Sequence, residues 1–456
     1  MEIAFDNCES LFGFEFGSLL MPKPFHLGWF LQGSSVQAWG EPWTGSIGRD
    51  WRVPDLFVEM TRALERACFD YVLIEDSSYV GESFGASRDI YLQNALSVPR
   101  QDPSVVASIL TQATSRIGIV PTFATFAYPP YLLARLVASL DQVSGGRIGW
   151  NMVTGSSDVA ARNFGFDGLP EHDLRYDMAD EYMQVVEALW GSWEPGAIVD
   201  DDESGVFADP SKVHSIDFEG KYFKCRGPLN SGPPMQSRPV IAQAGGSPRG
   251  RQFASLHADT IVAAVKGVDG MRAYRDDLRA RAAAQGRDPD GVKLLFLVAP
   301  LIGETEEDAQ ALKRRRGEWA ARRMDQRLAH FGKITNIDFS KLDLDAPVGE
   351  LTTNGHQQSL AEFLKKAAGR TLRQTMGDYE STVQSVELVG TCDGVAAQMG
   401  EVMDAVGGDG FLFSMPDVSR RVVATVADGL VPALQRRGLV RRKYEFEMLR
   451  DNLLAF

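Results

Sequence analysis

His172 is one of only six histidines in the chain, and it stands with Arg175 and Tyr176 in the stretch EHDLRYDMADEY at 171–182. A histidine and a tyrosine four residues apart lie on one side of a helix. The apolar residues that follow, Ala179, Tyr182, Met183, Val186, Leu189 and Trp190, recur at helical spacing. Asp173 is placed to cap that helix. A polar pair at the inward-facing start of a helix is the layout of a ligand site, and His172 is the best catalytic candidate in the chain. The same residues bonded to neighbouring backbone would make an ordinary helix start.

A second candidate is QAGGSPRG at 243–250. Its glycines, Gly245 and Gly246, let the backbone approach a ligand closely. Ser247 is a good N-cap, and the free amides of a helix start favour a phosphate. Arg249 or Arg251 is near enough in sequence to add charge. Many barrels use such a turn only to reverse the chain. Further candidates stand at the ends of predicted strands: Asp76, Thr122, Thr125, Asn151 and Thr154. Glu75 and Asp76 are adjacent, so as strand residues they point to opposite faces. Trp29, Trp39, Trp43 and Trp51 follow one another closely after the first strand, with Gln37 among them. They read either as core and rim packing or as an aromatic-lined pocket for a flat substrate.

Several chemistries are excluded by what is missing. There is no GxxxxGK[ST], no GxGxxG between a strand and a helix, no HExxH and no GxSxG. His172 and Asp173 are adjacent, poor spacing for two metal ligands on one helix face, so no metal is expected. The four cysteines, Cys8, Cys68, Cys225 and Cys392, form no CxxC and read as reduced thiols of a cytoplasmic protein. A net charge of −14 argues against nucleic acid and anionic membrane as partners. No apolar run is long enough to span a bilayer, and residues 1–22 lack a basic secretory start. They read as an N-terminal extension or an upstream start-codon choice, and residues 23–456 as one domain.

Positioning these groups requires alternating strands and helices. Strands are predicted at 25–31, 71–76, 117–123, 147–153, 238–244, 259–265, 292–301 and 410–415, and helices at 55–69, 102–114, 130–144, 174–193 and 247–258. Eight βα units close most simply into a (β/α)8 barrel, with an open doubly wound sheet as the competing solution. Two insertions stand outside it. Residues 200–237 contain a hairpin, SIDFEGKYFKC. Residues 304–390, between strands seven and eight, are helical; their run KRRRGEWAARRMDQR reads as a solvated face, and the later part is long enough to cover a barrel mouth.

Several long stretches resemble the bacterial-luciferase-like flavin-dependent monooxygenases, in the branch of nitrilotriacetate, EDTA and dibenzothiophene-sulfone monooxygenases. They are YPPYLLARLVASLDQVSGGRIGWNMVT (128–154), ARNFGFDGLPEHDLRYDMADEYMQVVEALW (161–190), GVFADPSKVHSIDFEGKYFKCRGPL (205–229), QAGGSPRGRQFAS (243–255) and VGTCDGVAAQM (389–399). The resemblance implies a TIM barrel with FMN at its C-terminal mouth. A separate NAD(P)H:flavin reductase would supply FMNH2, and a flavin peroxide formed with O2 would oxygenate a small molecule. It implies a homo-oligomer, dimer or tetramer. It also assigns Asp76, Asn151, His172, Tyr176 and Ser247 to the flavin, with Ser247 and the adjoining Gly246 at its phosphate. Where many relatives carry a serine after strand three, this chain has Ala124 between Thr122 and Thr125, and one of the two threonines is expected to take over that hydrogen bond to the flavin. Where the sulfone-cleaving relatives place substrate-side histidines, it has Gln37 and, by a loose alignment, Ile334. With Trp29, Gln37 and Trp39 as the expected substrate pocket, an aromatic or heteroaromatic substrate is expected over a polyanionic chelator. A deazaflavin-dependent oxidoreductase, a non-catalytic flavin-binding protein and a metal-dependent hydrolase are the competing readings.

Overall fold

The structure, a computed structural model, describes residues 23–31, 52–377, 384–416 and 419–456. Gln37 and Trp39 lie outside the described residues.

Eight parallel strands close into a barrel: β1 (His26–Leu31), β2 (Tyr71–Ile74), β3 (Gly118–Ala124), β4 (Gly149–Val153), β5 (Val240–Gln243), β6 (Thr260–Ala263), β7 (Lys293–Val298) and β8 (Gly410–Phe413). Each pairs with its chain neighbours, and β8 closes onto β1 with His26 opposite Gly410. The helices that cover them include α1 (Asp55–Arg66), α2 (Pro103–Ala113), α3 (Pro130–Ser144), α4 (His172–Trp190), α5 (Pro248–His257) and α6 (Gly267–Ala284). The predicted barrel strands were right in number and order but mostly too long; β2 and β5 end at Ile74 and Gln243, and β7 at Val298. Asp76 therefore stands on the loop beyond β2.

Side-chain alternation divides the core into two layers. Tyr71, Leu73, Val120, Val240, Leu295 and Leu412 fill the lumen, and a larger set including Trp29, Phe69, Trp150 and Phe413 packs between strands and helices. Gly28 and Phe30 are the β1 residues that face inward, since a Cβ on Gly28 would meet Leu412, Tyr71 and Leu295. Trp29 therefore faces outward, stacked on Phe413 at 6.1 Å and edge-on to Phe69. This corrects its expected place in a substrate pocket: the period of two in a strand sends Trp29 to the helical layer.

The floor of the barrel is closed by the C-terminal residues. Leu449 and Leu453 enter the lumen core, and Leu449 occupies the space that a side chain on Gly118 would need. The mouth at the strands' C-terminal ends is left for ligands. The insertion between β7 and β8 carries α7 (Glu306–Ala321), α8 (Met324–Thr335) and α9 (Gln357–Ala367), with its own apolar core of Leu328, Phe331, Phe339, Leu360, Phe363 and Met376. The basic run of α7 is mostly solvated, as its sequence suggests, but Arg316 is buried. The hairpin expected from SIDFEGKYFKC is present, pairing Phe218 with Cys225. No described helix is long and apolar enough to cross a membrane.

Candidate active site

The stretch that opens α4 lies against the glycine-rich turn after β5. His172 Nε2 is 3.3 Å from Ser247 Oγ, and its Nδ1 is 2.7 Å from Asp173 Oδ1. With Asp173 accepting from Nδ1–H, Nε2 is left to accept from the serine hydroxyl. Asp173 is not the helix cap expected of it. The cap position is Glu171, whose side chain makes no capping bond, and Asp173 holds the imidazole instead. The His172 and Tyr176 rings meet edge-on at 5.2 Å, and Phe253 supports Tyr176 from α5. Burial pushes the Tyr176 phenol above its ordinary range. Gln243 Nε2 donates to that phenolic oxygen at 3.5 Å and its Oε1 accepts from Gly245 N–H, so the end of β5 ties the motif to the turn.

The turn is as tight as its composition suggested. Ser247 caps α5, its Oγ accepting from Gly250 N–H at 3.0 Å. A Cβ on Gly250 would meet Tyr176 Oη at 2.8 Å and Gly245 Cα at 3.0 Å, so two backbones cross where only glycine fits. The charge expected from Arg249 is spent elsewhere, because it pairs with Asp177 at 2.9 Å and with Asp180. Arg251 pairs with Asp277 at 2.9 Å.

A second group lies on the next strands. Asn151 is buried in β4 and donates through Nδ2 to Thr122 Oγ1 in β3 at 2.8 Å. Its Oδ1 is buried with no hydrogen-bond partner among the described residues. Such an acceptor costs free energy unless something donates to it. Thr122 is thus committed to Asn151. Thr125 stands just beyond β3, its N–H donating to Val153 O.

A third group was not anticipated, apart from Asp76. Glu75 pairs with Arg100 at 3.2 Å. Burial, opposed by Arg100, raises the Asp76 carboxyl to about 6. Lys333, from the insertion helix α8, is buried and donates to Ser77 Oγ at 2.9 Å. Burial, together with Arg100, pulls its amine down to about 8. His330 stands one turn earlier on α8 and is lowered to about 4 by burial and by Lys333; His356, at the start of α9, is exposed. In sequence these are an isolated arginine and a charged insertion. Nothing local marks Arg100 or Lys333, whose partners Glu75 and Ser77 lie on another element. The described residues contain no cluster of His, Cys, Asp and Glu able to hold a metal.

Comparison with known proteins supplies the lineage. The profile described as luciferase-like monooxygenase matches residues 28–409. The chain belongs to this family. Among its relatives, the dibenzothiophene-sulfone monooxygenase of Rhodococcus erythropolis (strain XP) is 34% identical over 94% of this chain and 96% of its own length. Nitrilotriacetate monooxygenase component A of Aminobacter aminovorans is 33% identical over 94% and 96%. Among solved structures, a riboflavin lyase with modified FMN and riboflavin superposes with a TM-score of 0.86 at 32% identity, covering 95% of this chain and 96% of that one. The luciferase-like monooxygenase barrel thus carries relatives of similar identity whose named substrates differ widely. Identity alone therefore fixes the class of reaction and leaves the substrate to the details of the mouth.

Proposed function

We propose that this chain is the oxygenase component of a two-component system that uses FMNH2 and O2 to oxygenate a small aromatic or heteroaromatic molecule. One observation carries the cofactor reading. A helix start capped by Ser247 after a glycine turn and a buried acceptor, Asn151 Oδ1, unpartnered among the described residues, both stand at the C-terminal ends of barrel strands. A reduced flavin has a phosphate at one end and N–H donors on its ring, so the residues fit it. When bound, it supplies the two electrons that activate O2.

The chain's own residues would bind, orient and manage protons. The Ser247 hydroxyl and the Arg249 N–H receive the phosphate, since Pro248 has no N–H and that of Gly250 is bonded to Ser247 Oγ. His172, fixed by Asp173, orients the serine hydroxyl, and Tyr176 with Gln243 keeps the turn in register. Asn151 accepts from a ring N–H. One oxygen atom enters the substrate and the other leaves as water, so protons must be held nearby. Asp76 and Lys333, with values of about 6 and 8, are poised to hold them near neutral pH. The insertion packs against this region through Lys333, which donates to Ser77.

A separate NAD(P)H:flavin reductase is inferred because the sequence has no dinucleotide fingerprint and because a relative is named component A. Apolar Phe30 and Leu297 at the upper lumen, with the tryptophan-rich sequence after β1, favour a flat apolar substrate. By resemblance the protein is a dimer or tetramer. The test is turnover of an aromatic panel and of nitrilotriacetate with chemically reduced FMN under isotopically labelled O2. Label in one oxygen of an aromatic product is expected. Failure to bind FMNH2 overturns the cofactor reading, and turnover of nitrilotriacetate alone overturns the substrate class.

A further inference from the structure

The pocket beside the phosphate turn has two walls from different parts of the chain. Gly246, Ser247 and Lys266 form one, from the ends of β5 and β6; Gln357 and Gln358, the first turn of α9, form the other. Together they bound about 520 Å³. Gln358 Oε1 lies where a Cβ on Gly246 would stand, so the insertion is seated directly on the turn.

The ionic side chains that line this pocket are Arg251, Lys266 and Lys365, with one carboxylate, Glu362. Arg251 is neutralised by Asp277. Among the described residues Lys266 forms no ion pair; its amine donates to the carbonyl of Gln384. Burial, then the nearby Lys366, lowers it to about 8. Glu362 only partly offsets these cations, and a dianion at Ser247 would add counter-charge beside Lys266. The insertion is also tied on its other side. Arg175 donates to Asn354 O at 3.0 Å and to Asn354 Oδ1 at 3.3 Å, and His356 N–H donates to Ile334 O at 3.1 Å. Residues 354–358 therefore bridge α4 and the phosphate turn, with His356 in the middle.

We propose that a phosphate monoester at Ser247 latches the insertion over the mouth through Gln358 and Lys266, so that the cofactor's phosphate sets the position of His356. This rests on the FMNH2 reading above, since the phosphate is what distinguishes FMN from riboflavin. Lys266 reads the charge, and Gln358 is a positioning residue that passes occupancy to α9.

The experiment is anaerobic binding of reduced FMN and reduced riboflavin to the wild type, Gln358→Ala, Lys266→Met and Lys266→Arg, with amide hydrogen exchange followed over residues 353–367. The wild type should prefer FMN by about tenfold or more, the value of one charge-assisted contact, and FMN alone should slow exchange in that segment. Gln358→Ala should still bind FMN but lose the slowing. Lys266→Met should lose most of the preference, and Lys266→Arg should recover it. Equal slowing by riboflavin in the wild type, or undiminished slowing by FMN in Gln358→Ala, overturns the latch while the cofactor reading stands. An unchanged FMN preference in Lys266→Met removes Lys266 from it. Binding of neither flavin by the wild type overturns the cofactor reading and the latch together.

Discussion

His172 is held at both ring nitrogens, by Asp173 and by Ser247, and that double tether makes it sensitive to small changes. His172→Ala leaves the serine hydroxyl unoriented, and Ser247→Ala removes both the hydroxyl and the cap of α5. Each should weaken FMNH2 binding by about ten- to a hundredfold, the range for a hydrogen bond to a charged group, measured by anaerobic titration. Unchanged affinity in both variants would sink the assignment. Asp76 predicts a pH effect. Its folded value, about 6, lies above the ordinary 3.8, so it favours the protonated fold and the advantage is lost as pH rises from about 4 through 6. Asp76→Asn should therefore stabilise the protein at pH 7.5, by about 1–2 kcal/mol after allowing for partial exposure, and not at pH 4. Denaturant melts at the two pH values check it. Both residues were legible from sequence, one from a local motif and one from its place near a strand end. Lys333 and Arg100, which share Asp76's surroundings, were not, because insertion and barrel meet only in the fold.

Among the elements, the turn after β5 is tightly constrained. Two glycines on one strand-to-helix turn suggested close approach, and the approach is to the chain itself: Gly250 packs against Gly245 and beneath Tyr176. Gly250→Ala must push Tyr176 or the backbone aside. It should cost about 1–3 kcal/mol, the usual penalty of overpacking, and weaken FMNH2 binding. Loss of stability without loss of binding would show that the crossing serves folding alone. The strands teach a different lesson. A run of tryptophans looks like a pocket in one dimension, yet alternation in β1 decides where Trp29 points. Trp29 went to the helical layer because its neighbours Gly28 and Phe30 face the lumen.

The whole molecule depends on a buried network at the barrel floor, opposite the site. Asp70 accepts from His26 Nδ1, Leu27 N–H and Arg441 Nη2, at 2.7–2.8 Å, joining β1 to the C-terminal region. Burial alone would raise its carboxyl, but His26 and Arg441 outweigh burial and hold it below the ordinary value. Its stabilisation is thus present above about pH 4 and is lost as pH falls through the depressed value. Asp70→Asn leaves a buried arginine without its counter-ion and should cost about 3–5 kcal/mol in global unfolding near neutral pH, with a smaller difference from wild type in acid. An equal cost at pH 7 and pH 3 would contradict the charge account. The amino-acid sequence by itself determined the eight strands and their order, because hydrophobic periodicity and turn chemistry are local. It also determined the His172, Tyr176 and Ser247 candidates, because each sits in a short motif. Only the tertiary structure decided that Ser247 meets His172, that Asn151 keeps a free acceptor, that Trp29 is in the wall, and that Lys266 and Gln358 face one pocket. Those depend on contacts between distant segments, and the distance between two side chains is set by how the barrel closes and how the insertion folds back on it.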